Sequence, residues 1–164
     1  MPLRLALVRV LAFCAVTALL LSARDIYSLT VPTLSPASDP WTLEQTVVAA
    51  DFAKEIQQKH DSLRIIYVGV HTLYAGAHIP GAVFHGPGST EEGIAELKEY
   101  AKSVPRNSNL VLYCGCCPLE KCPNLRPAFT ALRDSGFTHL RVLLLPTSFA
   151  EDWVEKGYPI EKGR

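Results

Sequence analysis

The sequence predicts one α/β domain with a mostly parallel central sheet that is flanked by helices on both faces. Three mostly apolar segments, at residues 63–70, 110–114 and 140–145, have the composition of strands covered on both faces, and the first is also rich in β-branched residues. Segments with helix signals alternate with them, which is typical of parallel sheets joined by right-handed crossovers. Sixteen basic and sixteen acidic residues balance one another, so the charge gives no basis for binding nucleic acid.

The first 23 residues have the layout of an export signal. Arg4 and Arg9 precede an uncharged apolar stretch from Val10 to Ala23, which is short for a membrane span. We expect residues 1–23 to be either a cleaved signal peptide or an uncleaved N-terminal anchor that tethers the protein to a membrane. Either alternative places the folded part outside the cytoplasm, so the protein is expected to be periplasmic or secreted.

A linker and the first helix are expected next. Residues 24–41 are rich in Pro and Ser without an apolar period, which predicts an extended linker. The predicted domain covers residues 42–164. Its first element is predicted to be a helix over residues 42–58, opened by a capping box of Thr42 and Gln45.

Further helices are expected between and after the strands. Ser89 and Glu92 form a second potential capping box, and Gly136 stands where a helix C-terminus favours glycine. The expected helices cover residues 89–104, 125–136 and 149–157.

The loop after the second strand holds four of the five cysteines, in the stretch LVLYCGCCPLEKCPN at residues 110–124. Binding crevices of open parallel sheets lie beyond the carboxyl ends of the strands, and Cys114 ends the strand at 110–114. A Gly-containing loop then leads into a helix, whose N–H groups are expected to lower the pKa of the Cys114 thiol. Cys114 is therefore the candidate nucleophile; the alternative is an inert buried cysteine.

Cys116, Cys117 and Cys122 have three alternative explanations. They can be resolving thiols that accept sulfur or form a disulfide with Cys114, and Cys114 and Cys117 have the C-x-x-C spacing of redox pairs. They can also be structural disulfides, as in many exported proteins. A metal or iron–sulfur site fits less well, because thiolate sites usually draw pairs from two separated segments. We therefore expect no metal and no cofactor.

Several motifs together resemble the rhodanese-like family. YAGAHIPGAVF at 74–84 is similar to the family's motif after the first core strand, and VLYC at 111–114 is similar to the strand that ends in its active cysteine. DWVEKGYPIE at 152–161 resembles the family's ending. The resemblance covers residues 63–161 in the order and spacing of the family.

The resemblance implies a rhodanese-like fold and sulfurtransferase chemistry. Cys114 would take sulfane sulfur from a small donor, become a persulfide and pass the sulfur to a thiol acceptor. Loop amides around Gly115 would hold the anionic sulfur, and Lys121 and Arg126 are the basic residues nearest the loop that could meet an anionic donor such as thiosulfate. His78 matches a motif histidine with a mainly structural role.

The chain departs from the family pattern at two places. Gly69, Val70 and His71 stand where many members have D-x-R, and the loop after Cys114 is about five residues longer than the family's compact cradle. Phosphatases related to this fold need an arginine six positions after the cysteine, where this chain has Glu120. Phosphatase activity is therefore disfavoured.

Two other functions are left open by the sequence. The first is an exported thiol-disulfide oxidoreductase that uses the Cys114/Cys117 pair. The second is a non-catalytic binding module whose cysteines only staple the loop.

Overall fold

The computed structural model describes residues 39–58 and 62–163. Within them, five strands form one sheet in the order β1-β5-β4-β2-β3, and every pair is parallel. The expected parallel α/β sheet is confirmed, and the three predicted strands are its three central ones. The strands are β1 (Thr46–Val48), β2 (Leu63–Tyr67), β3 (Ala82–Phe84), β4 (Asn109–Tyr113) and β5 (Leu140–Leu144).

Four α-helices and a π-helical turn pack around the sheet in the described part of the chain. Among residues 39–58 and 62–163, no helix has the length and apolar character needed to cross a membrane. The helices are α1 (Ala49–Glu55), α2 (His71–Gly76), α3 (Glu91–Lys102) and α4 (Leu125–Asp134), and the π-helical turn covers Ala150–Val154.

The core has two parts, one on each face of the sheet. Alternate residues of β4 point to opposite faces, so Leu112 packs with Leu97 of α3 and Phe129 of α4. Val111 packs on the other face with Phe52 of α1. All five side chains are fully buried, which agrees with the predicted strand covered on both sides.

The prediction of one helix over residues 42–58 is wrong. The Gln45 side chain does accept a hydrogen bond from the Thr42 N–H at 3.1 Å, but this pair closes only a short 3₁₀ turn at Leu43–Gln45. The next residues, Thr46–Val48, form the edge strand β1, in which Thr46 pairs with Val142 of β5. Three β-branched residues beside an open sheet edge favour the extended conformation.

The other helix boundaries lie close to those expected. α3 is capped by Thr90 rather than Ser89, because the Thr90 hydroxyl accepts the Gly93 N–H at 3.1 Å. α4 ends at Asp134, directly before Ser135. Gly136 follows with φ 91°, the left-handed backbone conformation that favours glycine just beyond a helix C-terminus. The short helix α2 was not expected from the sequence.

The predicted signal or anchor at residues 1–23 lies outside the described residues. The compact unit begins at Asp39, whose carboxylate is 2.7 Å from the Arg126 guanidinium on α4. The Trp41 ring meets the Phe129 ring edge to face, with 5.4 Å between centroids. Contacts with α4 therefore begin before Thr42, and the domain boundary itself stays a prediction.

Candidate active site: a buried cysteine cluster

The candidate site lies at the carboxyl edge of the sheet, between the end of β4 and the start of α4. Cys114 follows β4 directly, and Gly115 comes next with φ 73°. A Cβ atom on Gly115 would lie 2.6 Å from the Phe149 Cβ, so both the conformation and the space require glycine. The Gly115 carbonyl accepts the Phe149 N–H at 2.9 Å, which fixes the turn that carries the cysteines.

Three of the four loop cysteines meet in one cluster. The sulfur atoms of Cys114, Cys116 and Cys122 all lie within 4.8 Å of one another, and the Cys114 and Cys116 sulfurs are 3.1 Å apart. The Cys117 sulfur lies 3.6 Å from that of Cys116. Among the described cysteines none forms a disulfide. Cys114 therefore contacts the sulfurs of Cys116 and Cys122, whereas the C-x-x-C spacing had indicated Cys117.

Asn124 completes the cluster, and the sequence analysis missed it. Its side-chain amide donates towards the Cys114 sulfur at 3.4 Å and the Cys116 sulfur at 3.5 Å. Its oxygen accepts the Ser89 N–H at 3.1 Å, and this bond fixes the amide with its NH₂ group towards the sulfurs. An Asn before a helix is normally explained as a cap, but this side chain makes no capping bond. The Asn124 side chain is only 3% exposed, and its NH₂ group has the Cys114 and Cys116 sulfurs as acceptors.

The thiol with the lowered pKa is that of Cys122, whereas the sequence had predicted Cys114. A hydrogen bond from the Cys114 thiol, together with the N–H groups of Asn124 and Leu125 at the start of α4, lowers the pKa of Cys122 to about 6. The same Cys122 contact and full burial raise the pKa of Cys114. The expected lowering of the Cys114 pKa is therefore wrong, because the helix amides meet Cys122, and Cys114 donates its proton to that sulfur.

Cys117 stands at the rim of the cluster. Partial burial and the neighbouring Cys116 raise the pKa of its thiol to about 12. Cys117 is thus a protonated thiol at neutral pH and has no contact with the Asn124 amide.

A cleft of about 460 Å³ opens beside the cluster. Cys116 is the one loop cysteine on its wall, while Cys114, with 0% exposure, lies beneath the surface. A ligand in the cleft therefore meets Cys116 first. Most of the remaining wall is apolar, with contributions from Leu73, Ala77, Phe149, Ala150 and Val154.

Tyr67 separates the cluster from the opposite face of the sheet. Its hydroxyl is buried and has no hydrogen-bond partner among the described residues, although the Val70 N–H is close enough to act on its pKa. Burial, followed by the charge of Cys114, raises that pKa. A Cβ on Gly69 would lie 2.5 Å from the Tyr67 oxygen and 2.9 Å from the Cys114 sulfur. This crowding leaves no room for a side chain at position 69, where the D-x-R pattern has its acidic residue.

Of the predicted donor-binding residues, Gly115 lines the cleft, whereas Lys121 and Arg126 lie off its wall. Lys121 is exposed in the 3₁₀ turn Leu119–Lys121. The Arg126 guanidinium is paired with Asp39 and donates to the carbonyls of Leu119 and Cys122 at 3.3 and 3.2 Å. Arg126 thus ties the cysteine loop to α4. The donor-binding roles of Gly115, Lys121 and Arg126 stay predictions, as does catalysis by the cysteines.

His78 has the structural position expected for the motif histidine. Its Nδ1 lies 2.8 Å from the Tyr74 carbonyl oxygen, and its ring stacks on that of Tyr74. Its main chain pairs with Glu161 in both directions, at 2.9 and 2.8 Å. These contacts hold the HIPGA turn against the C-terminal segment and leave the ring away from the cysteines.

The fold is shared with solved structures of low sequence identity. The rhodanese-like domain of the Alr3790 protein from Anabaena sp. is 22% identical, with a TM-score of 0.54 over 73% of this chain and 80% of that one. The BH2092 protein from Bacillus halodurans is 18% identical, with a TM-score of 0.58 over 73% and 78%. A protein of unknown function from Rhodopseudomonas palustris, described as a possible tyrosine phosphatase, is 17% identical, with a TM-score of 0.51 over 71% and 84%.

These similarities identify the fold. No protein-family model and no curated protein matches the chain. The chain has a rhodanese-like α/β fold, and the expectation drawn from its motifs is confirmed at that level.

Proposed function

We propose that the protein is a sulfurtransferase that carries sulfane sulfur as a persulfide inside the cysteine cluster and passes it to a thiol acceptor. The observation that carries this proposal is the 3.1 Å contact between Cys116, on the cleft wall, and the buried Cys114. The contact joins a thiol that a donor can reach to a thiol that solvent cannot reach. The rhodanese-like fold of the chain supports the same reaction class.

Sulfur enters at Cys116. Its thiolate attacks the outer sulfur of a sulfane donor, the S–S bond of the donor breaks, and the rest of the donor leaves as an anion, which is sulfite when the donor is thiosulfate. Because the cleft wall is mostly apolar and Lys121 and Arg126 do not line it, a small organic persulfide fits better than thiosulfate. Cys116 then holds the persulfide.

Cys114 receives the sulfur next. Cys114 and the Cys122 thiolate share a hydrogen bond, so the Cys114 proton passes to Cys122 as the Cys114 sulfur attacks. The Cys114 sulfur bonds to the outer sulfur of the Cys116 persulfide, the S–S bond of that persulfide breaks, and Cys116 leaves as a thiolate. The Asn124 amide contacts both sulfurs and stabilises the negative charge in the reactant and the product. No net oxidation occurs, and an acceptor thiol in the cleft reverses the two transfers.

Intact-mass measurement tests the proposal. Reduced protein incubated with thiosulfate, and separately with a small organic persulfide, should gain the mass of one sulfur atom. Cys116→Ser should not gain it, whereas Cys114→Ser should gain it only on Cys116 and release it faster. Cys117→Ser is the matched control and should load normally. Absence of any gain in the wild-type protein with both donors would refute the proposal.

The 3.1 Å contact also favours a second function, thiol-disulfide exchange by a Cys114/Cys116 pair. Two sulfurs at this distance need to approach by about 1 Å to form a disulfide bond. Reduction of insulin by the dithiol form, lost in Cys116→Ser and kept in Cys117→Ser, would favour this function over sulfur transfer. Equal insulin reduction by all variants would exclude it.

A further inference from the structure

We infer that Cys114, Cys116 and Cys122 also form a binding site for one thiophilic d¹⁰ metal ion, of the class of Zn²⁺ and Cu⁺. This function goes beyond sulfur transfer and does not depend on it. The three sulfurs lie within 4.8 Å of one another, and those of Cys114 and Cys116 are 3.1 Å apart. Sulfurs bound tetrahedrally at ~2.3 Å from zinc are ~3.8 Å apart. The observed separations bracket this value, so shifts of about 1 Å or less would bring the sulfurs around an ion.

All three ligands lie in the loop between β4 and α4, near its two ends. Cys114 and Cys116 belong to the turn after β4, and Cys122 follows the 3₁₀ turn Leu119–Lys121 just before α4. The folded loop brings these ends together, and the adjacent Cys117 is not among the three sulfurs. Soft thiolate ligands select zinc and copper(I) over magnesium and calcium.

The surroundings suit a thiolate site. Cys114 and Cys122 are 0% and 3% exposed, so bound metal would be shielded from competing ligands. The buried Asn124 amide donates towards Cys114 and Cys116, and its own oxygen is fixed by the Ser89 N–H. Such outer hydrogen bonds orient metal ligands and stabilise their deprotonated form.

The fourth coordination position would face the cleft. Cys116 is the ligand on the cleft wall, so a water molecule or a small ligand can approach the ion from that side. Metal binding and sulfur transfer use the same two sulfurs of Cys114 and Cys116. The two activities are consequently mutually exclusive, and bound metal protects the thiols from sulfane donors.

Metal titration of the reduced full-length protein under anaerobic conditions tests this inference. Zn²⁺ and Cu⁺ are titrated separately against chromogenic chelators, and Co²⁺ serves as a spectroscopic probe through its thiolate charge-transfer band. We expect one ion per chain and a Co²⁺ band that Cys114→Ser, Cys116→Ser and Cys122→Ser each remove. Asn124→Ala should weaken binding about 10- to 100-fold. The two chelator series decide whether Zn²⁺ or Cu⁺ is held more tightly.

Two controls separate the site from other thiols. Cys117→Ser and Cys14→Ser should keep both the stoichiometry and the band. Circular dichroism confirms that each variant is folded. If a ligand variant unfolds, protection of the cleft-facing Cys116 of the wild-type protein from alkylation by bound Zn²⁺ replaces it as the readout. Absence of saturable binding by all three ions, loss of the band in Cys117→Ser, or its persistence in Cys114→Ser would overturn the assignment. No sulfur donor is present, so failure here is distinct from failure of sulfur transfer.

Discussion

Replacing Asn124 by aspartate should suppress the reactivity of the cleft-facing thiol. The substitution preserves the shape of the side chain and the oxygen that accepts the Ser89 N–H at 3.1 Å. It replaces the NH₂ group that contacts the Cys114 and Cys116 sulfurs by a second carboxylate oxygen. A donor to the thiolate thus becomes a negative charge beside it.

The size of the effect follows from the distance. At 3.5 Å, the separation of the Asn124 amide nitrogen and the Cys116 sulfur, two like charges repel by about 5 kcal/mol at an effective dielectric constant of about 20. This corresponds to a factor of several thousand in the thiolate population that reacts. The new carboxylate can take up a proton instead, so the figure is an upper bound. We expect the alkylation rate of Cys116 at neutral pH to fall by about 10- to 1,000-fold.

The assay is the alkylation rate of Cys116 measured against pH with a small reagent that fits the cleft. Asn124→Ala is the matched variant, because it removes the two N–H···S contacts without adding a charge. The alkylation rate at neutral pH should fall in the order wild type, Asn124→Ala, Asn124→Asp. An aspartate variant that reacts at the wild-type rate would show that the Asn124 amide does not act on the sulfurs, and the proposed role of this residue would be wrong.

Three further predictions concern the stability of the site. The pKa of Cys122 is about 6 in the folded state and ~8.5 in the unfolded chain, so the unfolded state binds more protons between these pH values. The free energy of unfolding should therefore rise from pH 6 to 8.5, by at most ~1.4 kcal/mol per pH unit. Denaturant titrations should show this slope in the wild type and lose it in Cys122→Ser. Gly115→Ala should destabilise the protein by ~3 kcal/mol or more in the same titrations. Gly136 also has a positive φ, but a Cβ there would meet nothing within 4 Å, so Gly136→Ala should cost only ~1 kcal/mol. Equal losses in the two variants would contradict the close approach of Phe149 to Gly115. Tyr67→Phe removes a buried hydroxyl without a partner and should leave thermal stability unchanged or raise it, whereas a loss above ~1 kcal/mol would show that the hydroxyl is bonded.

The sequence predicted the parts of the fold that depend on continuous burial. The three central strands are continuous apolar runs, and their burial on both faces leaves a clear pattern that the structure confirms. The edge strand β1 was missed, since three residues between a 3₁₀ turn and α1 cannot be distinguished from part of a helix by periodicity alone. Its strand identity comes from pairing with β5, which is a tertiary contact.

The position of Cys114 in the fold was predictable, because it depends on topology. The structure has Cys114 directly after the buried strand β4, as expected, and its catalytic role stays a prediction. The direction of the Cys114 pKa shift depends on which sulfur contacts the N–H groups at the start of α4. Cys122 makes this contact, and the sequence of the loop does not show how the chain between Cys114 and Cys122 folds back. Asn124 was missed for a similar reason, since helix capping explains an Asn in that position equally well.

The most direct test of the central claim is the time course of persulfide location. Protein loaded with a small organic persulfide is quenched with an alkylating reagent at successive times, digested and mapped by mass spectrometry. The relay predicts the extra sulfur first on Cys116 and then on Cys114, with Cys117 never loaded. Sulfur that appears on Cys117 alone, or on Cys114 in a Cys116→Ser variant at the wild-type rate, would contradict it.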